Sequence, residues 1–134
     1  MPRGNWRRVL LIGPFAVKVA RSRFWHQARC CNRWEREMWR IWRPRFNWQC
    51  LCPILLSDRF GFIVVMRRAE QPVTVEQIEA VAEPLYPDVT CEWKTADCGR
   101  LDGRIVALDY GLPDEDSIAE RRAYYGGFAP RLSC

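Results

Sequence analysis

The chain has 134 residues, of which 49% are hydrophobic and 28% are charged, a composition typical of a single globular domain with a sizeable core. No apolar run approaches the roughly 18–20 residues of a membrane span. The apolar run that follows the basic start is also too short for a signal-peptide core. These features argue against a membrane protein and predict a cytoplasmic protein with no membrane partner.

Charge is segregated along the chain, although the whole carries a net charge of only +5. Residues 1–68 carry a net +12 and residues 69–134 a net −7. Arginine supplies 19 of the 21 basic side chains, and six of the seven tryptophans precede residue 49. Two interpretations remain open. The two halves attract each other within one domain, or an Arg/Trp surface binds a polyanionic or acidic partner.

The cysteines are odd in number, seven, and none of them forms a C-x2-C pair. The single histidine, His26, lies near only one pair of them in sequence. This spacing does not predict a zinc site. It predicts reduced and mostly buried thiols.

The first part of the chain predicts a β-hairpin followed by a helix. Apolar runs over residues 6–12 and Phe15–Ala20 flank a tight turn at Gly13-Pro14. A helix is predicted over residues 24–42, before Pro44. The later predicted elements are strands over 50–56 and 60–66 around a turn at 57–59, a helix over 75–82, a turn at 100–103, a strand over 105–108 and a short helix over 117–125. The helix over 75–82 has Thr74 as its N-cap and Gln77 as the capping-box partner of Thr74.

The helix contains a glutamate that needs a cationic partner. At 100° per residue, Glu35 lies at the edge of the apolar stripe, whereas Glu37 lies among arginines on the opposite arc. A buried carboxylate without a partner is costly. Lys18, one of only two lysines, lies inside the apolar strand. The pattern therefore predicts an ion pair between Lys18 and Glu35.

The order of strand lysine, helix glutamate and strand-end Asp109-Tyr110-Gly111 resembles the nucleotide site of protein kinases. It is similar in particular to the very small kinase-like proteins of phages and mobile elements. The segment 15–18 resembles the V-A-I-K motif, and 109–111 resembles the D-F-G element. The resemblance spans roughly residues 7–112. It implies an α+β fold, with an antiparallel sheet of the kinase N-lobe type, a helix-C equivalent and a minimal remnant of the C-lobe.

The resemblance also implies one kinase-like domain over residues 1–134, in which 113–134 form an acidic, glycine-containing tail. It places Met66 at the start of the adenine-binding hinge, with Lys18 and Glu35 as further nucleotide-site residues. ATP and magnesium are the implied cofactors, and Asp97 and Asp109 are the implied metal ligands. Catalytic roles fall on two residues of the loop before Asp97, with Glu92 as the base and Lys94 beside the transferred phosphate.

Several kinase features are missing from the sequence. No His-Arg pair precedes Glu92, no G-x-G-x-x-G loop precedes Lys18, and the 23 residues after Gly111 leave no room for an activation segment. The main functional hypothesis is therefore a degenerate kinase-like protein that binds or inhibits a macromolecule through its basic, Trp/Arg-rich surface. If it is phage-encoded, the target would be a host protein or a defence complex.

Two alternative functions remain open. One is a minimal phosphotransferase dependent on ATP and magnesium, since phosphoryl transfer needs mainly positioning and charge neutralisation. The other is nucleic-acid binding through residues 1–68, by phosphate contacts and aromatic stacking. A shortened kinase-like lobe would expose apolar surface, which favours a homodimer or a stable complex.

Overall fold

A computed structural model describes residues 7–21, 25–42, 50–85, 93–111, 116 and 119–120, and has an α+β fold. Four strands form an antiparallel sheet in the order β1-β2-β4-β3, and two more form a separate hairpin, β5-β6. The elements are β1 (Arg7–Ile12), β2 (Phe15–Ala20), α1 (Trp25–Trp42), β3 (Ile54–Ser57), β4 (Ile63–Arg67), α2 (Val75–Leu85), a 3-10 turn (Thr95–Asp97), β5 (Cys98–Leu101) and β6 (Arg104–Ala107). Glu92 and most of the predicted helix over 117–125 lie outside the described residues.

The predicted hairpin is confirmed. Gly13 adopts a φ of +55°, a conformation that glycine tolerates without steric cost. The resulting register pairs Arg7 with Ala20 and Val9 with Lys18. Since directly opposed residues project from the same face of a sheet, Arg7, Val9 and Lys18 share the inner face, which packs against α1.

Helix α1 presents its predicted apolar stripe to the sheet. Trp34, Glu35 and Met38 are all at most 1% exposed, so the glutamate lies inside the core rather than at its edge. Trp34 and Trp39 of this helix lie in the core, while Trp25 is 43% exposed. The arginines of the opposite arc lie on the outer side of the helix.

The strands after α1 differ from the predicted ones. The strand predicted over 50–56 begins only at Ile54, because Leu51 forms a bridge with Ala107 of β6 instead. The strand predicted over 60–66 begins at Ile63. The Asp58 carboxylate accepts hydrogen bonds from the backbone N–H groups of Phe60 (3.2 Å) and Ile63 (2.8 Å), which holds the preceding residues in a turn.

The predicted capping box at the start of α2 is present. The Gln77 N–H donates to Thr74 Oγ1 at 3.1 Å, and the Thr74 N–H donates to Gln77 Oε1 at 2.9 Å. The helix continues to Leu85, beyond the predicted end at residue 82. Across the described parts of the chain, no helix is both long and apolar enough to cross a membrane.

Candidate functional site

The ion pair predicted between Lys18 and Glu35 is present at the centre of the molecule. Lys18 lies on β2, between β1 and β4, and Glu35 projects from α1. Lys18 Nζ donates to both carboxylate oxygens, at 3.0 Å and 2.9 Å. It also donates to the carbonyl oxygen of Leu108, directly before Asp109. The lysine thereby connects the sheet, the helix and the strand end that carries the Asp-Tyr-Gly segment.

Arg7, which is not among the predicted site residues, completes the cluster. Its guanidinium donates to both oxygens of Glu35 and to Asn32 Oδ1, the latter at 3.0 Å. On its other side, Arg7 Nη2 donates to Asp109 Oδ1 at 2.7 Å. We call Arg7, Lys18, Glu35 and Asp109 the charge network. It contains two cations and two carboxylates, so its charges balance.

The charges of the network keep one another ionised. Burial by itself would raise the pKa of Glu35, but the neighbouring charges of Arg7 and Lys18 outweigh burial and lower it. Burial likewise opposes the charge on Arg7, yet Glu35 and Asp109 together raise the pKa of its guanidinium. Glu35 is 0% exposed, so each of its partners is needed to offset the cost of burying its charge.

The Asp109-Tyr110-Gly111 segment is fixed tightly against α1. The Tyr110 N–H donates to Glu35 Oε2 at 3.0 Å, and the Tyr110 hydroxyl donates to the Cys52 carbonyl at 3.0 Å. A Cβ atom at Gly111 would lie 2.6 Å from the Cys31 carbonyl oxygen, so a larger residue would push the segment off the helix. This packing leaves Asp109 beside the network with 41% of its side chain exposed.

A cleft of about 310 Å³ opens over the network. This volume lies within the range of roughly 300–1,000 Å³ that small-molecule sites occupy. Val9, Leu11 and Met66 give the cleft apolar walls. Among the described residues, its charged lining consists of four cations and two acids: Arg7, Lys18, Arg67, Arg68, Asp97 and Asp109. The cleft therefore suits a ligand with an apolar part and a negatively charged part.

Comparison with protein families, with curated proteins and with solved structures finds no match to this chain. The contacts of the charge network and the lining of the cleft therefore carry the functional conclusion. The structure brings five predicted site residues to this cleft or its floor: Lys18, Glu35, Met66, Asp97 and Asp109.

The predicted catalytic residues are less well placed. Glu92 lies outside the described residues. Lys94 is exposed and is not part of the cleft lining, although its Nζ lies 3.6 Å from Asp97 Oδ2. The backbone of Asp97 is fixed, because its carbonyl oxygen accepts a hydrogen bond from the Leu108 N–H at 2.8 Å. Of the predicted catalytic and metal-binding side chains of this loop, Asp97 lines the described cleft, together with its neighbour Ala96.

Asp97 and Asp109, the two implied magnesium ligands, both line the cleft. The ion demands octahedral oxygen coordination, in which carboxylates replace some of its waters. In the ranges that the structure describes, no group of three or more potential metal-ligating side chains occurs. One oxygen of Asp109 is occupied by Arg7. The described lining therefore offers two carboxylates, one of them already paired with Arg7, and four cations, Arg7, Lys18, Arg67 and Arg68, that suit a phosphate group.

The cysteines are only partly as predicted. Cys31, Cys50, Cys52 and Cys98 are free and buried. Cys30, however, is disulfide-bonded, so the prediction of reduced thiols is wrong for this residue. Burial raises the pKa of Cys31, Cys50 and Cys52 to about 12. None of these three thiols is suited to nucleophilic chemistry.

We expect native Cys31, Cys50 and Cys52 to react with N-ethylmaleimide at least about a hundredfold more slowly than in the unfolded protein, because a thiol needs access and ionisation to react. Peptide mass spectrometry after timed labelling at pH 7.5 measures each rate. The guanidinium-unfolded protein supplies the reference rate for the same peptides. Equal rates in the two states would contradict the buried placement of these side chains.

Proposed function

We propose that the protein is a kinase-like binding protein whose cleft holds the phosphates of a nucleotide through Lys18 and Arg7, without magnesium and without phosphoryl transfer. The contact of Arg7 with Asp109, at 2.7 Å, carries this proposal. A guanidinium in this position supplies the positive charge that a metal would otherwise bring. It can bind anions, and it already occupies one of the two oxygens with which Asp109 could bind a metal.

The arrangement of elements supports the kinase-like part of the proposal. A lysine on a central strand pairs with a glutamate on the helix that follows, which is the pairing that protein kinases require around ATP. The Asp-Tyr-Gly segment then reaches the same cleft from the separate β5-β6 hairpin. Met66 and Ala69 line the cleft at the end of β4, where the resemblance places the adenine-binding hinge.

The charge balance around Asp109 favours binding over catalysis. In kinases, magnesium ions bridge the phosphates and neutralise the charge that develops during transfer. Here the acid that would hold the metal already has a cationic partner fixed by a buried glutamate. The positive charges of Lys18 and Arg7 can stabilise the phosphates of a bound ligand in the ground state. We therefore favour a binding protein over a phosphotransferase.

The surface favours action on another macromolecule. Apolar side chains remain exposed across the outer face of the four-stranded sheet, including Leu10 (42%), Ile12 (56%) and Leu56 (60%). Exposed apolar patches of this kind mark interaction surfaces. We propose that nucleotide occupancy stabilises the lobe while its surfaces bind the partner. The partner proposed for these surfaces is a host protein.

Calorimetry with ATP, in EDTA and then with magnesium, tests the cleft. We expect micromolar binding by the wild type in EDTA and a loss of at least about tenfold in Lys18→Met, because the variant lacks a positive charge that attracts the phosphates. Lys94→Met removes the only other lysine and should bind as the wild type does, since Lys94 does not line the cleft. Circular dichroism verifies that each variant is folded.

Two results would overturn the proposal. A folded wild-type protein that binds no ATP would show that the cleft is not a nucleotide site. Transfer of radiolabelled phosphate from ATP, to the protein itself or to added protein, would favour the phosphotransferase alternative instead. In that case Lys94→Met should lower the transfer rate.

A further inference from the structure

A row of exposed aromatic rings lies at the start of α1 and in the β3-β4 turn, outside the lining of the cleft. Trp25 at the start of the helix contacts Phe62, with ring centroids 4.9 Å apart, and Phe62 is followed by Phe60 at 6.3 Å. We call these three side chains the aromatic row. Their exposed fractions are 43%, 37% and 49%, so each ring retains surface for a ligand. Exposure of three neighbouring rings is unusual unless they bind something.

Arginines adjoin this row. The guanidinium of Arg29 lies 4.8 Å from the centroid of Phe62, and that of Arg59 lies 4.8 Å from the centroid of Phe60. A neighbouring pocket of about 380 Å³ is lined by these two arginines, by Arg33 and Arg36, by Phe60 and by a single acid, Glu37. Glu37 also contacts Arg40 at 3.1 Å, and the four arginines outnumber this acid in the described lining of the pocket. We call this the arginine pocket.

The aromatic row and the arginine pocket lie on α1 and the β3-β4 turn, which contact each other closely. A Cβ atom at Gly61 would lie 2.4 Å from the Arg29 carbonyl oxygen, so only glycine lets the β3-β4 turn approach α1 this closely. Asn32 Nδ2 donates to the Gly61 carbonyl at 2.9 Å, and Arg29 Nε donates to the Phe60 carbonyl at 2.7 Å. These bonds fix the rings beside the arginines before any ligand arrives, which reduces the entropy lost on binding.

We infer that the aromatic row and the arginine pocket form a binding site for single-stranded nucleic acid. Bases stack on aromatic faces and on guanidinium planes, and the adjoining pocket holds the phosphates between them. An acidic peptide would use the arginines but would leave three rings in water. A duplex keeps its bases stacked internally and has no use for the rings. This site is distinct from the nucleotide cleft and does not depend on the function proposed for it.

Fluorescence anisotropy with labelled twelve-nucleotide dT and rU oligomers tests the inference. We expect binding at 50 mM NaCl that weakens steeply as salt increases, since phosphate contacts release counterions. Phe60→Ala should weaken binding about 5- to 150-fold, the range that loss of one stacked base corresponds to, with an unchanged salt slope. Arg36→Gln with Arg59→Gln should weaken binding and reduce the salt slope by about 1.4, the value for two single-strand phosphate contacts.

The charge-matched control is Arg8→Gln with Arg100→Gln, which removes two positive charges from β1 and β5, outside the site. It should retain most of the binding. The inference is overturned by absence of binding at 50 mM NaCl, or by equal losses in the control and the arginine-pocket variant. It is also overturned if polyglutamate competes as well as the unlabelled oligomer, or if a duplex of equal length binds as tightly. The result of the ATP-binding test with Lys18→Met has no bearing on the oligonucleotide results. The two proposals can therefore fail independently.

Discussion

Glu35→Gln should lower the free energy of unfolding by about 3–5 kcal/mol, the cost of removing one partner from a buried ion pair. The amide keeps the shape of the side chain but removes a charge that two cations share. Arg7 and Lys18, 8% and 5% exposed, would then be left with Asp109 as the only anion of the network. Urea denaturation followed by tryptophan fluorescence measures the change. The core position of Trp34, on the same helix, makes this signal sensitive to unfolding.

Glu37→Gln is the matched control, because Glu37 lies on the same helix and contacts Arg40 on the surface. We expect a change within about 0.5 kcal/mol, as for other exposed ion pairs. Equal destabilisation by the two variants would mean that the charge network does not hold the core together.

A fall in pH should lower the unfolding free energy of the wild-type protein through the carboxylate of Glu35. The pKa of Glu35 is lower in the folded protein than in the unfolded chain, so the unfolded state takes up protons first as the pH falls. The stability that Glu35 contributes is therefore complete above its ordinary pKa of 4.5 and decreases as the pH falls below that value. Glu35→Gln lacks this contribution at every pH. The difference in unfolding free energy between the two proteins should shrink below pH 4.5.

Local patterns were enough to predict the hairpin, helix α1 and the Lys18–Glu35 pair. Apolar runs on both sides of the Gly13-Pro14 turn specify two paired strands, and a 3.6-residue period specifies which face of the helix is buried. Elements that depend on distant partners were predicted less well. The segment before Ile54 reads as a strand, but Leu51 pairs with Ala107, a contact that no local pattern encodes.

Arg7 could have been found from the sequence. A two-residue turn at Gly13-Pro14 fixes the register of the hairpin, which pairs Arg7 with Ala20. Ala20 lies two residues after Lys18, on the same face of β2. The register therefore places a second cation beside the predicted lysine, facing the helix that carries Glu35. The contact of Arg7 with Asp109 depends on the position of the β5-β6 hairpin, which local sequence patterns do not predict.

Replacing Arg7 should convert nucleotide binding from magnesium-independent to magnesium-dependent. In the wild type we expect the affinities for ATP in EDTA and in magnesium to agree within about twofold, because Arg7 occupies the Asp109 oxygen that a metal would use. In Arg7→Gln this carboxylate becomes available to a cation bound to the phosphates. Magnesium should then tighten ATP binding at least about tenfold, or about 1.4 kcal/mol. Lys18 and the Tyr110 N–H still hold Glu35, so the core retains two of its contacts.

Arg8→Gln provides the control, since Arg8 neighbours Arg7 on β1 but is paired with Val19 on the opposite face of the sheet. It removes the same charge and should leave the ratio of the two affinities unchanged. A wild type that requires magnesium would show that Arg7 moves away from Asp109 when nucleotide binds, which contradicts the proposed role of the arginine. If Arg7→Gln binds ATP equally well with and without magnesium, Asp109 is not a metal ligand even when it is free, and the magnesium independence of binding has a cause other than Arg7.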